Sequence, residues 1–129
     1  RSRHFGAPGN LRKAARGILM SEVEPPGWLV IEGGGPLADI WAKEADRRGL
    51  GLHRIAAESW RETLLRPRQH RDRRRAKQHA DELARRVIEW SGARRPTALR
   101  HDAAEAILIG LWGVLTVGWL DEPPVTPPA

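Results

Sequence analysis

Cysteine is absent from this 129-residue chain. That excludes disulfides and thiolate zinc sites, and it favours a reducing, intracellular home. Acids are in the minority: 16 Asp and Glu stand against 22 Lys and Arg, a formal charge of +6 with a pI near 11.1. Such an excess points to a polyanionic partner. Long apolar runs are missing as well. The longest, 106–120, covers 15 residues, short of the roughly 18 that argue a membrane span, so it reads as a buried helix and no membrane association is expected. Residues 1–10 are polar and hold no apolar signal-peptide core, which leads to a cytoplasmic, nucleoid-associated expectation. The chain does not open on Met, and its start is expected to lie upstream.

Arginine supplies 19 of the 22 basic residues. Guanidinium binds phosphate in a fixed bidentate fork, although the same bias fits a GC-rich genome or a hot habitat. The length suits one domain with a single core, expected over 1–120, with the Pro-rich DEPPVTPPA (121–129) as a disordered tail. Asn10 reads as the N-cap of a helix over 11–23 with Leu11, Ala15, Ile18 and Leu19 along one face. WLVIE (28–32) is a short apolar run of the kind buried in parallel sheets. After GGGP comes a helix over 37–48 with Leu37, Ile40, Trp41 and Ala45 inward, then a strand over 52–56 and a short helix at SWRETLL. A long helix over 72–90 places Ala76, Ala80, Leu83, Ala84, Val87 and Trp90 at helical spacing, and the last helix runs over 101–119. Strands alternating with helices indicate an α/β fold, yet two strands make a marginal sheet.

The apolar last helix opens on two carboxylates, Asp102 and Glu105. An acid at a helix start with Glu three residues on resembles a capping box, and first-turn acids complement the helix dipole. The chemical alternative is that two carboxylates on one helix face repel unless a cation sits between them, and a pair of magnesium or manganese ions is the usual occupant beside a phosphodiester. Glu32 is a third acid, at the carboxyl end of the WLVI strand, where open α/β sheets bind ligands. GGGP is no P-loop, since it lacks the Lys and the hydroxyl.

The strand ending VIE, the DAAEA helix 70 residues later and the elements between resemble the RuvC family of Holliday junction resolvases. The resemblance runs from Leu11 to Val117. It implies a ribonuclease H-like α/β fold, a mixed sheet flanked by helices, with the first strands missing from this chain. It also implies two Mg2+ (or Mn2+) ions held by carboxylates, to which Glu32, Asp102 and Glu105 correspond. The family's first carboxylate lies on an N-terminal strand, and nothing before Glu32 matches it. An aromatic residue that stacks on bases often follows the second carboxylate in the family; here the loop is GGGP, with Trp41 the nearest aromatic. His101 stands beside the acids, as a solvated cap or as a group orienting water or phosphate.

Residues 61–77 carry Arg61, Arg66, Arg68, Arg71, Arg73, Arg74, Arg75 and Lys77 against Glu62 and Asp72, a net +6 that equals the excess of the whole chain. The bland reading is a solvated helix entry. The other is a DNA-binding stretch, since such a density of one sign repels itself without an anionic partner. By the resemblance, Arg61 and Lys77 approach the scissile phosphate, and Lys77 joins Glu32, Asp102 and Glu105 as catalytic. The function so implied is metal-dependent cleavage of four-way DNA junctions in recombination or repair, leaving a 5′ phosphate. The enzyme would be a homodimer with the 37–48 helix at the dimer contact. Two rivals are an inactive RuvC-like protein that binds branched DNA, and a helical scaffold whose basic patch binds RNA.

Overall fold

The computed structural model describes residues 7–21, 27–70 and 72–127. They form a mixed, mostly helical α/β protein with a parallel sheet of two strands. Their contacts divide after Ala56 into two units.

The first unit holds α1 (Pro8–Ser21), β1 (Trp28–Glu32), α2 (Pro36–Arg47) and β2 (Gly51–Ile55). Pro8 suits the first helical position, where a missing N–H leaves no bond unmade. The amides of Asn10 and Leu11 donate to the Ala7 carbonyl at 3.0 and 3.2 Å. Asn10, expected as the N-cap, therefore lies inside the first turn, and the helix starts two residues before it. The expected end at 23 lies outside the described residues. Leu11, Ala15 and Leu19 are buried, and Leu11 and Ala15 pack on Ile40 with Trp41 against them.

The strands pair in parallel from Trp28 opposite Gly51 to Glu32 opposite Ile55, and α2 is the crossover that packs on both. Gly51 is required by a close approach: a Cβ there would stand 2.3 Å from Cε3 of Trp28. The Trp28 ring instead stacks on His53, centroids 4.9 Å apart. β1 was expected to be buried, but Leu29, Val30 and Ile31 are only half-buried, and Trp28 and Glu32 are exposed. A parallel strand is covered when neighbours and helices close both its faces, and a sheet of two strands gives β1 one neighbour. Leu37, expected inward, is 57% exposed. It shares a face with Trp41 but sits in the first turn of α2, and the inward side is carried by Ala38, Ile40 and Ala45.

The second unit holds α3 (Ala57–Leu64), α4 (Pro67–His70), α5 (Arg73–Ser91) and α6 (His101–Thr116). α5 is stopped at both ends. The Asp72 carboxylate accepts from the Arg74 amide at 2.9 Å, and Gly92 closes the helix in the left-handed region at φ 72°. Ala76, Ala80, Leu83, Ala84, Val87 and Ile88 form the buried stripe of α5, which packs on α6. Trp90, expected in that stripe, is 52% exposed. The cause is where α6 begins: His101 lies 2.9 Å from Asp81, so the last turns of α5 run on beside the returning loop, where Arg95 pairs with Glu89. Leu108 and Trp60 are wholly buried. α6 ends at Thr116, three residues before the expected end. Residues 121–127 form no helix or strand, and Arg86 donates to the Thr126 carbonyl at 3.1 Å. Among the described residues no helix is long and apolar enough to cross a membrane.

Candidate functional site

α6 takes Arg100 as its N-cap, in extended backbone and without a side-chain cap bond. Asp102 and Glu105 thus sit one and four residues past the helix start, and the capping box suggested by their spacing does not form. Asp102 is exposed. Its Oδ1 accepts from the Ala103 amide at 2.9 Å and stands 3.7 Å from Nε of Arg100. At that place its charge complements the helix dipole.

Glu105 is held from two sides. Nη2 of Arg61, on α3, donates to its Oε1 at 3.0 Å. Nε2 of His101 lies 3.1 Å from the same oxygen, an ion-pair distance, yet without the alignment of a hydrogen bond, so Nε2 has no hydrogen-bond partner. The other imidazole nitrogen, Nδ1, is 2.9 Å from Oδ1 of Asp81 on α5. Arg61 also lies over the Trp60 ring, 5.2 Å from its centroid, a cation–π distance. Three helices therefore meet in one network, Asp81–His101–Glu105–Arg61. The Arg61 and Glu105 side chains are 24% and 20% exposed. That burial places the pair above the few tenths typical of surface ion pairs, at about 1–2 kcal/mol.

Carboxylate oxygens are the donors that magnesium and manganese prefer, so the acids fit such an ion in kind. In arrangement the first cation at Glu105 is a guanidinium, and a divalent ion there would displace it. Among the described residues no three His, Asp or Glu side chains stand together in a metal-holding group. Glu32 ends β1 in the first unit, exposed, and the next amide, Gly33, donates to the Ile55 carbonyl at 2.9 Å.

No protein-family model, curated protein or solved structure matches this chain. The likeness to RuvC resolvases rests on the VIE and DAAEA residues themselves.

The basic residues are placed as follows. Arg66 is exposed between α3 and α4, where its amide donates to Oε1 of the buried Gln69 at 3.1 Å. Arg68 and Arg75 line an open cleft of about 460 Å3 with Gln69, Gln78 and His79. Arg73, Arg74 and Arg75 are the first three residues of α5 and all are exposed. Lys77 is exposed one turn on, and among the described residues no ion pair joins it to Glu105. Arg71 lies outside the described residues. Arg61 departs from the group, since it is drawn inward to Glu105 rather than offered to solvent. Asp81 was not singled out from the sequence; its only signal is that it sits one residue after the buried Ala80, where α5 turns from core to surface.

Proposed function

We propose that this protein is a RuvC-like, metal-dependent endonuclease of ribonuclease H-like fold that acts on four-way DNA junctions as a homodimer. The observation that carries the reading is the first two turns of α6. They present two carboxylates on a buried apolar helix, one of them already matched by a cation, in the same unit as an exposed row of arginines. Asp102 and Glu105 would offer carboxylate oxygens to magnesium or manganese, a role that the resemblance also gives to Glu32. When bound, the metal supplies Lewis acidity to the phosphodiester and a more acidic water. Arg73, Arg74 and Arg75 grip backbone phosphates without reading sequence. Arg61 steadies Glu105 while no divalent ion is present.

One observation favours a second reading, a junction-binding protein that does not cut: the Arg61 guanidinium already neutralises Glu105. A labelled four-way junction distinguishes them. Cleavage that needs magnesium and stops in calcium supports the nuclease; tight binding with no cleavage in either ion supports the binder. A preference for single-stranded RNA would remove both.

A further inference from the structure

The sequence concentrates attention on 61–77, but the first unit has a basic surface of its own. Between α1 and α2 lies an open cleft of about 590 Å3. Arg12, Lys13 and Arg16 line it from α1, and Lys43 and Arg47 from α2. α1 has no acid anywhere in its length. The two carboxylates of the cleft are already engaged: Asp39 accepts from Arg54 at 2.8 Å, and buried Glu44 pairs with Arg47 at 3.2 Å and Arg48 at 3.7 Å. Among the described residues no carboxylate pairs with Arg12, Lys13, Arg16 or Lys43. Arg12 and Arg16 are four residues apart on a helix without acids, so like charges repel along the α1 wall. An anion in the cleft relieves that repulsion.

From this geometry we infer that the α1–α2 cleft is a second phosphate-backbone site, gripping a DNA strand independently of α5. Four residues of helix rise about 6 Å, close to two phosphate-to-phosphate steps of one strand at about 3.4 Å each along the duplex axis. The uncharged lining is Ile40 and Pro36, whose side chains give no donor or acceptor to a base edge, and both carboxylates of the lining are engaged by arginines. The grip is therefore indifferent to sequence. A second copy of this chain is the wrong occupant on charge, because it would bring cation to cation. The inference rests on the DNA reading above, and lysine chemistry separates the two.

The chain has three lysines: Lys13 and Lys43 in the cleft, and Lys77 on α5. All three are exposed. Reductive methylation read by mass spectrometry, with and without four-way junction DNA, reports each surface separately. Severalfold protection of Lys13 and Lys43 together with Lys77 is the expected result. Protection of Lys77 alone overturns the cleft site and leaves DNA binding standing. No protection at any of the three removes the DNA reading and the cleft site with it. Protection of Lys13 and Lys43 by inorganic pyrophosphate but not by DNA shows a small-anion pocket, and also overturns the inference. As a second readout, the double variant Lys13→Gln, Lys43→Gln should flatten the slope of log K against log salt by about 1.8, from about 0.9 per phosphate contact. An unchanged slope contradicts the site.

Discussion

Replacing Arg73, Arg74 and Arg75 together with Ala should move stability and DNA affinity in opposite directions. The three arginines are the first three residues of α5 and exposed, behind the Asp72 cap. Cations at a helix N-terminus oppose the dipole, by about 0.3–1 kcal/mol each at low salt. Alanine is the better helix former by a small margin, and Asp72 already offsets part of the unfavourable charge. The triple variant should thus be more stable by about 1 kcal/mol, which for a domain of this size raises Tm by about 3–5 °C. Binding should weaken. If the 61–77 stretch neutralises about four phosphates, it contributes about 3.6 to the slope of log K against log salt, and removing three contacts lowers that contribution to about 0.9. Raising salt from about 50 to 200 mM would then cost the parent about 40-fold more in affinity than it costs the variant. Fluorescence anisotropy with a labelled junction measures both slopes, and thermal unfolding at low and high salt measures the rest. A parent slope retained by the variant, or a fall in Tm, would refute the claim that these arginines are kept for phosphate at the expense of the helix.

Leu108→Ala should cost about 2–5 kcal/mol through the cavity left in a fully buried place; a loss below 1 kcal/mol in denaturant titration would mean α6 is not the core of its unit. Glu105→Gln should lower stability by about 1 kcal/mol in metal-free buffer by loosening Arg61, and that loss should vanish in an Arg61→Ala background; equal losses in both backgrounds would show the pair contributes nothing. Gly51→Ala should destabilise the first unit by about 1–3 kcal/mol, because its Cβ would meet the Trp28 ring, and Trp28→Ala should absorb most of the effect. Additive losses would place the strain elsewhere.

Periodicity carried the helices well, because the α5 stripe from Ala76 to Val87 is long and its polar face is densely charged. It failed where a side chain needs a neighbour that local sequence does not specify. Trp90 keeps the helical spacing but outruns α6, Leu37 keeps it but sits in a first turn, and the WLVIE run promises a burial that a two-stranded sheet does not supply. Asn10 misled because Pro8 starts a helix equally well two residues earlier. The acids at the mouth of α6 were legible as a pair, and their spacing allowed a capping box that only the position of Arg100 removes. Their partners were not legible. Arg61 and Asp81 lie 44 and 24 residues from Glu105 in the chain, and no local pattern links such distances. The α1–α2 cleft was missed for the same reason: its charge is divided between two helices, neither of which is dense enough alone to stand out.

The central claim, that the acids at the mouth of α6 serve DNA cleavage and not helix capping, is tested most directly by one assay. A four-way junction is incubated in magnesium with the parent protein, Asp102→Asn, Glu105→Gln and Glu32→Gln, and binding of each is measured in calcium. The account predicts that the parent cuts, and that each amide variant binds as tightly or more tightly in calcium yet does not cut. A parent that binds the junction without cutting it, or amide variants that cut as fast as the parent, would contradict the account.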